Sequence, residues 1–200
     1  MITIIDYGMG NLASVQKAIR KLGKDVIITS NKTEIQKASL IVLPGVGSFK
    51  QGMKNLKDRG LIELLNQEVI QNKKPFLGIC LGMQLIMKNG TEPIECEGLG
   101  WIKGRVEVIN NSRLPVPHLG WNRTYQLEEE NQEDNLLNNF YFIHSYHVLP
   151  EEHLECTYVN YEFKMIASIR KENIYATQFH PEKSQNAGLS LLKKYIESHA

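Results

Sequence analysis

The chain has 200 residues and a mass of 22.9 kDa, which suits one domain, and 42% of its residues are hydrophobic, enough for one well-packed core. Its 23 Lys and Arg against 22 Asp and Glu give a formal net charge of +1, which argues against electrostatic binding to nucleic acid or to an anionic membrane surface. No apolar run approaches the roughly 18 residues of a membrane span, and segment 1–6 lacks the basic start of a signal peptide. We therefore expect a soluble cytoplasmic protein.

The N-terminal half alternates between strands and helices. Apolar runs predict strands at 2–6, 26–29, 40–43 and 75–79. Apolar residues at helical spacing predict helices at 11–22, at 49–72 with a break at Gly60, and from Leu81 onward. This alternation predicts a mostly parallel sheet that is covered by helices on both faces.

The second half has shorter and more aromatic apolar runs. They predict strands at 101–102, 105–109, 140–148, 158–159, 165–169 and 174–179. The acidic stretch 128–134 is predicted to be a solvated loop, and Leu189, Leu192 and Ile196 lie in register on a final helix. We expect antiparallel strands added to the parallel sheet, within a single domain over 1–200.

The three cysteines, Cys80, Cys96 and Cys156, indicate neither a disulfide framework nor a zinc site. Their number is odd, the chain is too long to need disulfide stabilisation, and it contains no C-x-x-C pair. We therefore expect no metal and no cofactor.

One cysteine stands where a nucleophile would stand. The segment Gly78-Ile79-Cys80-Leu81-Gly82 follows a buried strand and begins a helix, which is the G-x-nucleophile-x-G arrangement of a nucleophile elbow. The dipole of that helix favours a thiolate at Cys80. The alternative is that Cys80 is a small buried apolar residue, as most intracellular cysteines are.

A base for this nucleophile comes late in the chain. His180 and Glu182 follow the last predicted strand, and residues two apart on a strand share a face, so Glu182 can orient the imidazole as the third member of a triad. A surface His-Pro turn is the alternative for this segment. Together with the elbow at Cys80, the triad is the better interpretation.

The turn Gly45-Val46-Gly47 also follows a buried strand directly. Since the carboxyl ends of parallel strands meet at one edge of a sheet, this turn, Cys80 and His180 are predicted to converge. A backbone amide of Val46 or Gly47, together with that of Leu81, could form an oxyanion hole. A phosphate-binding loop is disfavoured because no Lys or Ser/Thr follows at P-loop spacing.

These motifs resemble those of the class I (triad) glutamine amidotransferases, and within them the glutaminase subunits of imidazole glycerol phosphate synthase. The resemblance covers about residues 1–198. The segments that carry it are Asp6-Tyr7-Gly8-Met9-Gly10-Asn11, Pro44-Gly45-Val46-Gly47, Gly78-Ile79-Cys80-Leu81-Gly82-Met83-Gln84, Pro117-His118-Leu119-Gly120-Trp121-Asn122, Tyr141-Phe142-Ile143-His144-Ser145-Tyr146 and Gln178-Phe179-His180-Pro181-Glu182-Lys183-Ser184-Gln185.

The resemblance implies a flavodoxin-like three-layer α/β sandwich that hydrolyses L-glutamine through a thioester on Cys80, with His180 and Glu182 completing the triad. It implies that the glutamine is held by Gln84, His144, Ser145 and Tyr146. It also implies that the ammonia exit and the partner-facing surface include Asn11, Trp121, Tyr141 and Lys183. The alternative for Trp121 and Tyr141 is that they are core aromatics, and for Lys183 that it is an ordinary solvated lysine.

The partner implied by the resemblance is a separate (β/α)8-barrel cyclase subunit, which uses the ammonia in histidine biosynthesis. The chain departs from the usual subfamily pattern at Trp101, Leu119 and His147. At these positions the chain is similar to paralogues that occur in surface-polysaccharide or flagellin-modification gene clusters. Those paralogues supply ammonia to sugar-nucleotide enzymes. The choice of ammonia acceptor stays open at this point.

Two other functions are compatible with part of the pattern. A free-standing cysteine hydrolase would use the same triad but would have no use for Asn11, Trp121 and Lys183 at an ammonia exit. A non-catalytic regulatory subunit would not need an intact triad.

Overall fold

The computed structural model describes residues 1–110, 113–127 and 134–199. The strands are β1 (Ile2–Ile5), β2 (Val26–Thr29), β3 (Leu40–Gly45), β4 (Phe76–Cys80), β5 (Met87–Gly90), β6 (Cys96–Glu97), β7 (Ile102–Val108), β8 (His118–Leu127), β9 (Asp134–His144), β10 (Tyr146–Pro150), β11 (Glu155–Tyr161), β12 (Phe163–Lys171) and β13 (Ile174–Thr177). The helices are α1 (Leu12–Lys21), α2 (Lys32–Gln36), α3 (Phe49–Asp58), α4 (Ile62–Leu65), α5 (Leu81–Leu85) and α6 (Gln185–His199). A π-helical stretch, Asn66–Gln71, continues α4, and a 3-10 turn spans Pro181–Lys183.

Nine strands form one large mixed sheet in the order β2-β1-β3-β4-β13-β12-β11-β8-β9. The first five strands in this order run parallel, and the remaining four are added antiparallel. A second sheet has the order β10-β7-β5-β6. The α/β fold with a parallel core and added antiparallel strands therefore agrees with the sequence prediction.

Strands β1, β3 and β4 are buried on both faces, which explains their largely apolar sequences. In β3, Val42 belongs to the core cluster under α1 and α6, whereas its neighbours Ile41 and Leu43 belong to the cluster under α3 and α4. Successive side chains on a strand point to opposite faces, so a strand covered by helices on both sides is apolar along most of its length, as β3 is from Leu40 to Leu43. Within the described residues, no helix is long and apolar enough to cross a membrane.

Helix α1 shows how local signals set the element boundaries. The side chain of Asn11 accepts a hydrogen bond from the Ser14 amide and caps the helix, so the predicted start at position 11 is the capping residue. Val15, Ala18 and Ile19 then form the buried face.

Several predicted boundaries were wrong. The run 140–148 is not one strand: β9 ends at His144 and β10 begins at Tyr146 in the other sheet. Strand β8 (His118–Leu127) was not predicted, since it contains polar and glycine residues. The helix from Leu81 has only five residues. The predicted break at Gly60 is confirmed between α3 and α4. The predicted acidic loop at 128–134 lies outside the described residues except for Asp134, where β9 begins.

The start of α5 packs directly on β3, which leaves no space for a side chain at Gly82. A Cβ atom there would collide with the carbonyl oxygen of Leu43. Gly23, by contrast, has a positive φ of 72° but nothing within 4 Å of the Cβ position.

We expect Gly82→Ala to lower the free energy of unfolding by about 3 kcal/mol or more, because backbone must move to relieve the overlap. Gly23→Ala is the matched control, and it should lose only about 1–2 kcal/mol from the left-handed conformation. Urea unfolding measures both values. Equal losses in the two variants would contradict the tight packing of α5 on β3.

Candidate active site

The carboxyl ends of three neighbouring strands form the candidate site. Strands β3, β4 and β13 are adjacent in the sheet and parallel to one another. They lead into the Gly45–Gly47 turn, into Cys80 and toward His180, so these three segments meet at one edge of the sheet.

Cys80 has the strained backbone of a nucleophile elbow. Its φ of 53° and ψ of −106° are rare for a residue with a side chain. The side chain is 6% exposed, and its sulfur lies 3.9 Å from the carbonyl oxygen of Ile143. The side-chain amide of Gln178 donates through Nε2 to the same sulfur at 3.7 Å. The sulfur is thus fixed between β9 and the end of the β13 segment.

His180 and Glu182 form a buried pair. The Nδ1 atom of His180 lies 2.7 Å from Oε1 of Glu182, and both side chains are at most 3% exposed. The contact was expected from strand alternation, and that reason was wrong: β13 ends at Thr177, and Glu182 lies in the 3-10 turn after His180. Among the described residues, Nε2 of His180 has no hydrogen-bond partner of ordinary geometry.

The surroundings of His180 favour its charged form. Burial alone lowers the pKa of the imidazole, but contacts with Cys80 and Glu182 outweigh burial and raise the pKa to about 10. The Nε2 side of the ring is therefore a proton donor toward the sulfur at neutral pH. A cysteine next to an imidazolium is the arrangement that produces a reactive thiolate.

Backbone contacts hold His180 in place. Its amide donates to the carbonyl oxygen of Tyr141 at 2.9 Å, and its own carbonyl oxygen accepts from the Ser184 hydroxyl at 2.6 Å. The same hydroxyl accepts from the Tyr141 amide at 2.9 Å. The sequence placed Ser184 in a motif but predicted no role for it, because a serine after a turn carries no distinctive signal.

Backbone amides suitable for an oxyanion hole border Cys80. Within the part of the chain that the structure describes, the amides of Val46, Gly47 and Leu81 make no hydrogen bonds. Leu81 begins α5 directly after the cysteine, and Val46 is 43% exposed beside the site. Free amides of this kind are the donors that stabilise a tetrahedral oxyanion.

A cavity of about 490 Å³ opens in front of the sulfur. Five segments of the chain and Lys183 line it, with the residues Val46, Gly47, Ser48, Cys80, Leu81, Gln84, Glu92, Pro117, Ile143, His144, Ser145, Tyr146 and Lys183. All four residues expected to hold a substrate, Gln84 and His144–Tyr146, are among them. A larger open groove near Met1 and Arg20 contains none of the chemistry described above.

Gln84 ties two walls of the cavity together. Its Nε2 donates to the carbonyl oxygen of Tyr146 and to Oε1 of Gln178, both at 3.1 Å. Gln178 is fully buried and reaches the Cys80 sulfur with its other amide atom. The sequence placed Gln178 in a motif without indicating this contact.

His144 is a structural part of the wall and stays neutral. Its Nδ1 donates to the carbonyl oxygen of Tyr146 at 2.8 Å, so its Nε2 accepts from Nδ1 of His118 at 3.0 Å. Burial lowers the pKa of His144 to about 3 and that of His118 to about 4. His118 is stacked between Phe142 and Tyr161.

Glu92 is the carboxylate that sequence reasoning missed. It lines the cavity and accepts a hydrogen bond from the Phe49 amide at 3.1 Å. Burial raises its pKa, and the Phe49 amide partly offsets that effect. A lone glutamate in a charged segment gives no sequence signal, since only the fold brings it opposite Cys80.

The residues predicted to face a partner do not all lie at the cavity. Lys183 lines it, with Nζ 5.7 Å from the centroid of the Tyr141 ring, and Tyr141 lies 6.0 Å from the Trp121 ring. Trp121 is 47% exposed and is therefore not a core aromatic. Asn11 is exposed and caps α1.

Within the described residues, no group of three or more His, Cys, Asp or Glu side chains is arranged to hold a metal ion. The chemistry available at the site is that of a thiol, an imidazole paired with a carboxylate, and free amides. This set is suited to acyl transfer.

Comparisons with known proteins agree with this chemistry. The family model "Glutamine amidotransferase class-I" matches residues 3–197. The chain is 48% identical to the imidazole glycerol phosphate synthase subunit HisH 1 of Campylobacter jejuni strain 81-176, over 98% of both chains. It is 45% identical to subunit HisH 2 of Methanococcus maripaludis, over 98% of this chain and 99% of that protein.

Solved structures show the same fold at lower identity. A crystal structure of a glutamine amidotransferase has a TM-score of 0.75 at 17% identity, covering 98% of this chain and 97% of that one. The PurLQS structure from Thermotoga maritima has a TM-score of 0.67 at 15% identity, covering 98% and 95%. From its sequence match and its fold, the chain belongs to the class I glutamine amidotransferase family.

Proposed function

We propose that this chain is the glutaminase subunit of an imidazole glycerol phosphate synthase. In this proposal it hydrolyses L-glutamine and passes the ammonia to a separate (β/α)8-barrel cyclase subunit. The observation that carries the proposal is Cys80 on a strained turn beside the buried His180–Glu182 pair. The names of relatives at 45–48% identity over nearly the whole chain support the choice of synthase.

The reaction begins with attack of the Cys80 thiolate on the side-chain amide carbon of glutamine. The carbonyl oxygen becomes an oxyanion that accepts hydrogen bonds from the amides of Leu81 and of Val46 or Gly47. The His180 imidazolium then protonates the departing nitrogen, and the C–N bond breaks to give a glutamyl thioester and ammonia. Glu182 stabilises the imidazolium whenever His180 is protonated and orients the ring when it is neutral.

Hydrolysis of the thioester returns the enzyme to its starting state. His180, now neutral, takes a proton from water, and the hydroxide attacks the thioester carbon. A second oxyanion forms at the same amides and collapses with loss of the Cys80 thiolate. The γ-carboxylic acid loses its proton to water and leaves as glutamate, and the proton taken from the attacking water remains on His180.

Glu92 gives the cavity a preference for an α-amino acid. Free glutamine carries an α-ammonium group, and Glu92 is the carboxylate that lines the cavity within the described residues. Ser145 and Tyr146 also line the cavity, and Gln84 and His144 both donate to the carbonyl oxygen of Tyr146. We therefore assign Glu92 to the ammonium group and the Ser145–Tyr146 segment to the rest of the substrate.

An apolar surface beside the cavity supports a protein partner. Leu119 and Trp121 on β8 face Ile143 and Tyr141 on β9 in the strand register, so the four side chains share one face of the sheet. Leu119, Trp121 and Ile143 are 57%, 47% and 38% exposed. We call these four residues the β8–β9 patch. Exposed apolar patches of this kind are characteristic of protein interfaces.

The position of the β8–β9 patch suits the transfer of ammonia. Strand β9 places the Ile143 carbonyl oxygen beside the Cys80 sulfur and the Tyr141 carbonyl oxygen on the His180 amide. A subunit seated on the patch would therefore cover the mouth of the cavity, next to Lys183. Covering the site would keep ammonia out of bulk water, where it would be protonated. This matters because ammonium is not nucleophilic.

We place the reaction in the cytoplasm, where the three free thiols stay reduced.

One observation favours a second ammonia acceptor. Methanococcus maripaludis has two relatives of this chain, numbered HisH 1 and HisH 2, at 44% and 45% identity. A duplicated glutaminase subunit can serve a second synthase, such as a sugar-nucleotide amidating enzyme. Adding the cyclase subunit or the sugar-nucleotide enzyme to the chain and measuring glutamine-dependent product formation decides between the two acceptors.

We expect Cys80→Ala to abolish glutamine hydrolysis, by at least about 10⁴-fold, because no other group in the cavity can form the thioester. Synthesis from added ammonium salt by the assembled complex should survive. Cys96→Ala and Cys156→Ala are the controls and should keep wild-type glutaminase rates. Mass spectrometry of the glutamine-treated protein should find a glutamyl adduct on Cys80. Wild-type turnover in Cys80→Ala would refute the proposed nucleophile.

We expect Glu182→Gln to lower kcat by about 10³–10⁴-fold while the protein stays folded, as for the comparable change in a serine triad. The substitution also shifts the pH profile. The carboxylate raises the pKa of His180, so its loss lowers that pKa, and the imidazolium needed as general acid is lost at lower pH.

The pH dependence of kcat/KM, which reports ionisations of the free enzyme, measures this effect. In the wild type, activity should decline only as the pH rises through about 10, whereas in Glu182→Gln the decline should begin at lower pH. A variant with less than about threefold lower kcat and an unshifted profile would show that Glu182 does not orient His180.

We expect Trp121→Ala to raise the Kd of the complex with the barrel subunit about 30-fold, which corresponds to a loss of about 2 kcal/mol at an interface anchor. Val108→Ala, an exposed aliphatic in the second sheet, is the control and should leave Kd within about twofold. Isothermal titration calorimetry measures both. Equal affinities for Trp121→Ala and wild type would exclude the β8–β9 patch as the interface.

A further inference from the structure

Tyr7 is a buried tyrosine whose hydroxyl group has no partner. The residue follows β1 and is 0% exposed. Among the described residues, its hydroxyl makes no hydrogen bond. A buried hydroxyl without a partner costs free energy, because it has lost its hydrogen bonds to water. Nearly all buried polar groups in folded proteins are paired, so an unpaired one beside a reactive group calls for an explanation.

The unpaired hydroxyl lies against the start of the turn proposed to bind the oxyanion. A Cβ atom on Gly45 would overlap the Tyr7 hydroxyl and would lie 2.9 Å from Cβ of Leu81. The phenol therefore packs on the backbone of Gly45, and only glycine fits there. Gly45 is also the register partner of Cys80 between β3 and β4. Tyr7, Gly45 and Cys80 thus follow one another across the sheet.

The phenol keeps its proton at neutral pH. Burial raises the pKa of Tyr7, and the nearby Cys80 raises it further. The hydroxyl is therefore available as a hydrogen-bond donor. Because the hydroxyl lies against the backbone of Gly45, the carbonyl oxygen of that residue is the acceptor that we consider for it.

We propose that Tyr7 is a positioning residue for the oxyanion hole: its hydroxyl donates to the carbonyl oxygen of Gly45 when the tetrahedral intermediate forms. This inference rests on the proposed glutaminase function. The Gly45 carbonyl and the Val46 amide belong to one trans peptide and point in opposite directions. A hydrogen bond to the carbonyl therefore fixes the direction of the Val46 N–H and polarises it into a stronger donor. The cost of the unpaired hydroxyl in the resting protein is offset by this bond in the reaction.

Tyr7→Phe tests the proposal because it removes only the hydroxyl. The expected result is a kcat for glutamine hydrolysis lowered about tenfold, a KM within about twofold, and a thermal unfolding midpoint equal to or above that of the wild type. The lowered kcat and the retained stability come together only if the hydroxyl acts in the reaction. The assay uses the full chain, both alone and with the barrel subunit.

Tyr195→Phe is the matched control. Tyr195 is a buried tyrosine on α6 whose hydroxyl donates to the carbonyl oxygens of Phe76 at 2.8 Å and Asn173 at 3.2 Å. Its loss should lower the unfolding midpoint and leave kcat within about twofold, which is the opposite pattern.

Alkylation of Cys80 by iodoacetamide separates positioning of the oxyanion from placement of the nucleophile. This displacement at carbon forms no oxyanion, so the alkylation rate of Tyr7→Phe should equal that of the wild type. A lowered alkylation rate or a lowered unfolding midpoint would show a structural role and overturn the proposal. An unchanged kcat would also overturn it while leaving the glutaminase function intact. Absence of glutamine hydrolysis by the wild type, with and without the barrel, would instead refute the proposed function.

Discussion

The site depends on one backbone constraint, the positive φ of Cys80 where β4 becomes α5. A residue with a side chain adopts this conformation only when its surroundings impose it. Here β4 is held between β3 and β13, and α5 packs so closely on β3 that Gly82 has no space for a Cβ atom. The sheet and the short helix thus fix the direction of the sulfur, and the amide of Leu81 comes beside it as a consequence.

The second requirement is electrostatic, and it separates His180 from the other histidines near the cavity. His118, His144 and His180 are all buried, and burial alone lowers the pKa of an imidazole. The effect of burial prevails at His118 and His144, whose pKa values are lowered to about 4 and about 3. Both imidazoles are therefore neutral and serve as structural residues in the cavity wall. At His180 the contacts with Cys80 and Glu182 prevail and raise the pKa to about 10. Two of the three histidines, His118 and His144, therefore have a structural role, and only His180 is charged as the proposed proton transfer requires.

Strand β9 connects the site to the surface of the molecule. Its side chains contribute Tyr141 and Ile143 to the β8–β9 patch, whereas its carbonyl oxygens contact His180 and Cys80. A partner that presses on the patch acts on the strand whose backbone holds the proposed base and nucleophile. The exposed patch and the backbone contacts to the reactive pair therefore belong to one strand of the sheet.

The sequence by itself determined the parallel α/β core and identified Cys80, His180 and Glu182 as candidates. Buried strands, helix periods and the glycines of an elbow are local constraints, so they leave a signal within a few residues. Only the tertiary structure decided that 140–148 divides between two sheets, that Glu92 reaches the cavity, and that Gln178 contacts the Cys80 sulfur. It also decided that the contact between His180 and Glu182 arises through a 3-10 turn and not along a strand. These features depend on contacts between distant segments or on local turn geometry, and neither produces a period that can be read along the chain.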